Sequence, residues 1–161
     1  MNELKPDLIV SIRFGFILQP TIIGIPKFGE INLHSDELPM YRGVMATLRA
    51  MQHNANEYGT NVHYINDSGI DSGKIISISK QILDYRRAYL HNTLMLYKQG
   101  INDVVDAINA IKDTGKCSSY YARTQGSYFS YPCEQELKDF KQKGFKLYEY
   151  QDVIDLAQNY S

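Results

Sequence analysis

Asn32 and His34 stand two residues apart in the string Asn32-Leu33-His34-Ser35-Asp36-Glu37-Leu38-Pro39-Met40-Tyr41-Arg42-Gly43. In an extended strand side chains repeat every second residue, so the amide and the imidazole project from the same face. A neutral amide donor beside a titratable imidazole suits acyl transfer to an amine. The amide can stabilise an oxyanion as it develops, and the imidazole can move protons. An Asn-x-His pair also arises by accident at strand ends. Asp71, in Ser68-Gly69-Ile70-Asp71-Ser72-Gly73, is a third candidate. Glycines around it let backbone and carboxylate come close to a ligand, and a carboxylate can hold a nearby His in its protonated form. A solvated Asp in a hairpin turn is the plainer alternative. His63, inside a strand, reads as a supporting residue. Arg42 at a helix start can bind an anion or form a structural ion pair. Phe14, Gly15, Ile17 and Leu18 can line a flat aromatic pocket or belong to the core.

The elements that must position these residues follow from periodicity. Asp7 to Ile12 is a β-branched apolar run, predicting a strand buried on both faces. Glu30 to His34 is a second strand, after turn chemistry at residues 24–29. Val44, Leu48 and Met51 recur at helical spacing, predicting a helix from Arg42 to about His53. Thr60 to Ile65 reads as a third strand and Lys74 to Lys80 as its hairpin partner. Leu90, Leu94, Tyr97, Ile101, Val104, Ile108 and Ile111 then form one stripe on a long helix, with Gly100 as a point of bending or splitting. Residues 120–131 are aromatic-rich and read as irregular. A short helix over 132–143, a strand over 145–150 and a last helical turn or two over 152–158 complete the pattern. The fold class is α/β, a mixed sheet with flanking helices. The glycine-rich strand-turn-helix that opens a nucleotide-binding sheet is not seen.

Composition narrows the class. With 161 residues, 43% apolar residues and a formal net charge of -1, the chain reads as one globular domain. The near-neutral balance argues against nucleic-acid binding driven by bulk charge. Apolar runs are short, no leader is apparent, and the two cysteines fit free thiols in a cytoplasmic protein. No Cys/His cluster has metal-ligand spacing. The tyrosines of the tail, Tyr120, Tyr121, Tyr128 and Tyr131, can stack on a ring, although with 13 tyrosines and no tryptophan in the chain packing is the commoner use.

In order and spacing, Phe14-Gly15-x-Ile17-Leu18, Ile31-Asn32-Leu33-His34, Leu38-Pro39-x-Tyr41-Arg42-Gly43, Gly59-Thr60, His63 and Gly69-x-Asp71-x-Gly73 resemble the folate-dependent formyltransferases. That family includes the catalytic domains of methionyl-tRNA formyltransferase, glycinamide ribonucleotide formyltransferase and the sugar N-formyltransferases. The resemblance implies a partial Rossmann-like domain whose leading βαβ half is missing. Residues 1–115 would be the catalytic half and 116–161 an extension packed on it. It further implies Asn32, His34 and Asp71 as catalytic residues, and 10-formyltetrahydrofolate as co-substrate. Phe14, Gly15, Ile17, Leu18, Gly69 and Ile70 would bind that co-substrate. Asp36 stands where the family usually has Ser and, with Arg42, would face the acceptor. The expected acceptor is a small primary amine or amino sugar, with methionyl-tRNA still open and self-association through an exposed sheet edge expected. A non-catalytic folate-binding remnant is the rival.

Overall fold

The computed structural model describes residues 4–35, 40–66, 69, 71–123 and 126–159. In chain order its elements are β1 (Ile9–Ile12), α1 (Pro20–Ile23), β2 (Glu30–His34), β3 (Tyr41–Gly43) and α2 (Ala46–Gln52). There follow β4 (Glu57–Ile65), β5 (Ile75–Ile82), α3 (Tyr89–Thr114), β6 (Ser127–Phe129), α4 (Glu134–Gln142) and α5 (Tyr150–Asn159). Four strands form a mixed sheet in the order β1-β2-β4-β5. β1 runs parallel to β2, whereas β2–β4 and β4–β5 are antiparallel. Alternation gives the sheet two chemically different faces. Ile31, Leu33 and Val62 pack on Tyr97, Val104, Ala107 and Ile111 of α3. Ser11, Asn32, His34, Asn61 and His63 belong to the opposite set of the pleat, and the register places Ser11 beside Asn32, Asn32 opposite His63 and His34 opposite Asn61.

Five expectations change. β1 is not buried on both faces: Ser11 is buried, whereas the alternate positions Val10 and Ile12 are 36% and 42% exposed. The strand has β2 as its one neighbour among the described strands. Arg42 does not begin a helix but lies in β3, which pairs in parallel with β6. That second sheet gives residues 127–129 a regular conformation that their own pattern hides. Its closeness depends on Gly43, at φ +104°, where a Cβ would lie 2.2 Å from the Phe129 carbonyl oxygen.

α3 is a single 26-residue helix that Gly100 does not split. A Cβ at Gly100 would meet the Leu33 methyls at 2.8 and 3.2 Å. The glycine is therefore the point of closest approach between helix and sheet. The buried stripe is accordingly rotated from the one the large apolar residues suggest. Leu96, Gly100 and Ala107 join Tyr97, Val104 and Ile111 inside, while Ile101 is 45% exposed.

Residues 145–149 form no strand. Their carbonyls serve α3 instead: the N–H groups of Tyr89 and Leu90 donate to Lys146 and Leu147 at 2.8 and 2.9 Å. Buried Asp152 accepts the Ala88 N–H at 2.8 Å and the Arg87 guanidinium at 2.7 Å. The first turn of a helix has donors without intrahelical partners, and the tail supplies them. A second apolar cluster joins α2, α4 and α3 through Leu48, Met51, Leu96 and fully buried Phe140. Among the described residues, no helix is long and apolar enough to cross a membrane.

Candidate active site

A cleft of about 590 Å³ opens past the carboxyl ends of β1 and β2. This is the edge at which open α/β sheets take their ligands, and the volume suits a small organic molecule. Asn32, His34 and Asp71 all line it. β2 aims Asn32 and His34 to one side by simple alternation. Asp71 comes from the β4–β5 connection and is placed by three local features. Its own backbone is left-handed at φ +50°, and its Oδ2 accepts the Gly43 N–H at 3.1 Å. Two residues on, a Cβ on Gly73 would sit 1.5 Å from the Tyr64 carbonyl oxygen, so only glycine lets the loop lie this close to β4.

The three side chains form a graded set. Ser11 Oγ donates to Asn32 Oδ1 at 3.0 Å, which commits the amide carbonyl and leaves the NH₂ as the donor of this side chain. Asp71 stands between two imidazoles: His34 Nε2 is 3.5 Å from its Oδ2, and His63 Nε2 is 3.9 Å from its Oδ1. Both exceed the roughly 3.2 Å reach of a formed N–H···O bond. Burial lowers the His34 pKa, with Asp71 opposing the shift, and His34 is therefore a neutral proton acceptor near pH 7. Burial also lowers His63, to about 4, against the pull of Asp71 and with help from His34. His63 Nδ1 lies 2.6 Å from Asn61 Oδ1. A carbonyl oxygen only accepts, so the proton of neutral His63 sits on Nδ1.

The remaining residues singled out in the sequence divide. Phe14, Gly15, Ile17, Leu18 and Gly69 line the cleft, with Phe14 and Ile17 more than half exposed at its mouth. Asp36 and Ile70 lie outside the described residues. Arg42 is not in the cleft lining, because in β3 it sits at the Tyr128 register instead of on a helix facing the site. Six lining residues in three groups are not singled out as site residues in the sequence. Ser11 becomes visible once β1 is in register with β2. Tyr128 and Tyr131 line the cleft from the C-terminal segment. Tyr89, Thr93 and Tyr97 line it from α3, where their four-residue spacing is a helical signal that the apolar stripe obscured. Among the described residues no group of His, Cys, Asp or Glu could hold a metal ion.

A mixed sheet with an amide, a neutral imidazole and a carboxylate at one cleft defines a protein built for polar group chemistry on a bound small molecule. The family model described as formyl transferase matches residues 1–85, and the chain belongs to that family. It is 36% identical over 113 residues to the methionyl-tRNA formyltransferase of Clostridium beijerinckii, covering 69% of this chain and 36% of that protein. To the methionyl-tRNA formyltransferase of a Wolbachia strain of Drosophila simulans it is 30% identical over 157 residues, covering 89% and 52%. The chain thus spans about a third to a half of the length of these relatives. The formyltransferase PseJ of Anoxybacillus kamchatkensis, solved with UDP-4,6-dideoxy-4-formamido-L-AltNAc and tetrahydrofolate, superposes with a TM-score of 0.63 at 28% identity. That match covers 84% of this chain and 67% of PseJ. A 4-N formyltransferase from Francisella tularensis shares the fold with a TM-score of 0.71 at 18% identity, covering 86% and 62%.

Proposed function

We propose that this chain carries out N-formyl transfer from 10-formyltetrahydrofolate to a primary amine, with a small amine or amino sugar favoured as acceptor over methionyl-tRNA. The observation that carries the reading is the convergence of Asn32, His34 and Asp71 on one cleft. The cleft fits a reduced folate on the chain's own features. Phe14, Gly15, Ile17 and Leu18 give it an apolar wall for a flat ring system, and Asn32, His34 and Asp71 line the same cleft. Bound there, 10-formyltetrahydrofolate would supply the formyl carbon.

The residues divide the work. The Asn32 NH₂, its carbonyl held by Ser11, donates to the acyl oxygen as negative charge builds on it. His34, kept neutral by burial, accepts the proton that the attacking amine must lose. Asp71 stabilises the imidazolium so formed, and the Gly43 N–H keeps its carboxylate in place. No side chain forms a covalent bond to the formyl group. The acceptor preference rests on the near-neutral charge balance, which disfavours tRNA binding driven by bulk charge.

The test is formyl transfer to small amines, nucleotide-linked amino sugars and methionyl-tRNA, with 10-formyltetrahydrofolate as donor. Asn32→Ala is expected to lower kcat by about 10²–10³, the cost of one oxyanion donor. His34→Ala and Asp71→Ala are expected to abolish turnover with the fold retained. Folate binding without transfer to any amine would establish the non-catalytic remnant, and near wild-type rates in both variants would remove the site assignment.

A further inference from the structure

Arg13 is the one lysine or arginine in the cleft lining among the described residues. It follows the last residue of β1 and is held at φ +52°, a left-handed conformation that costs a non-glycine residue about 1 kcal/mol or more. No carboxylate partners it among the described residues. Its guanidinium lies over the Tyr97 ring instead, 5.5 Å from the centroid. Tyr89, Thr93 and Tyr97, one helical turn apart on α3, bring three hydroxyls to the same wall. Burial raises the Tyr89 phenol, and the positive charge of Arg13 opposes that shift.

We infer that Arg13, with the hydroxyl row Tyr89–Thr93–Tyr97, is an anion subsite of the cleft that fixes the charged end of a substrate whose reacting end lies at Asn32 and His34. An arginine presents a planar fork of donors matched to carboxylate or phosphate oxygens, and stacking on an aromatic ring pre-orients that fork. Arg13 also lines an apolar groove with Leu90, Leu94, Val153 and Leu156, which offers an anion no other cation among the described residues. The inference rests on the formyl-transfer reading for the identity of the anion. A reduced folate ends in glutamate carboxylates, and a nucleotide-linked amino sugar carries phosphates; either supplies the required oxygens.

Calorimetric titration of the wild-type chain, Arg13→Asn and Arg13→Lys with tetrahydrofolate, 6-methyltetrahydropterin (which has no carboxylate) and UDP separates the sources. Asn tolerates the left-handed backbone, so Arg13→Asn removes the cation without straining the turn. Arg13→Asn is expected to weaken one anionic probe about tenfold or more, with partial recovery in Arg13→Lys and no change for 6-methyltetrahydropterin. Loss confined to tetrahydrofolate assigns the carboxylate, and loss confined to UDP assigns the phosphate. Unchanged affinity for both anionic probes overturns the subsite, while 6-methyltetrahydropterin binding would leave the folate reading standing. If neither pterin binds the wild-type chain but UDP binds through Arg13, the folate reading fails and the subsite survives. Binding of no probe overturns both.

Discussion

His63 makes the sharpest quantitative prediction about folding. Its side chain is 2% exposed, and burial is the main force holding its folded pKa at about 4 against an ordinary value of 6.5. Between those two values the unfolded chain binds a proton that the folded chain refuses. Stability therefore rises with pH across the window, is complete above about pH 6.5, and is lost as the pH falls towards 4. A gap of about 2.5 units at about 1.4 kcal/mol per unit gives a loss of about 3–4 kcal/mol. That is a large share of the roughly 5–15 kcal/mol that holds a domain together. Urea unfolding of the wild-type chain and His63→Gln at intervals from pH 7 to pH 4.5 reads the effect. Glutamine retains an amide donor within reach of Asn61 but does not titrate. His34, lowered in the same direction, and Glu30, raised by burial with the opposite slope, are present in both proteins and cancel in the difference. The wild-type curve should fall more steeply through the window, with most of the extra loss accumulated by pH 4.5. Parallel curves would refute the account and show that the ring is hydrated or already charged in the folded chain.

Glu30 is fully buried on β2, and neither carboxylate oxygen has a hydrogen-bond partner among the described residues. Glu30→Met should raise the urea midpoint at pH 7 by the equivalent of about 1–3 kcal/mol, with the gain shrinking as the pH falls through the carboxylate range; an unchanged or lower midpoint counts against it. Gly73→Ala should cost about 1–3 kcal/mol, because its Cβ would strike the Tyr64 carbonyl at 1.5 Å. It should also cut turnover by displacing Asp71, and a stable, fully active Gly73→Ala would show that the loop can yield. Ser11→Ala should lower kcat for formyl transfer with little change in KM, since the amide it orients acts on developing charge; Ser11→Thr should recover part of the loss, and a change in KM alone would argue against the orienting role.

The cleft's central residues are legible in the linear chain because their placement is local. Alternation along β2 suffices to put Asn32 and His34 on one side, and the glycines at 69 and 73 mark a loop that presents Asp71. The long helix is equally visible from its period. Pairings between distant segments are what the chain conceals. β3 and β6 are three residues each, too short to show any period, and pair across more than 80 positions. Residues 145–149 look like a strand because they are apolar and aromatic, yet their backbone serves the start of α3. Arg42, assigned to a helix by the residues after it, belongs to a strand that only β6 makes possible.

The sequence alone determined the family, the mixed α/β class and the strand that holds the amide and imidazole, since these follow from side-chain type and period-two geometry. Tertiary structure decided everything that depends on register and burial. Ser11 orients Asn32 because β1 and β2 pair at that register, and Asp71 comes between two imidazoles because Gly43 and Gly73 permit backbone contacts a Cβ would forbid. His34 and His63 owe their neutral state to the protein that excludes water around them, a property no spacing of residues can display.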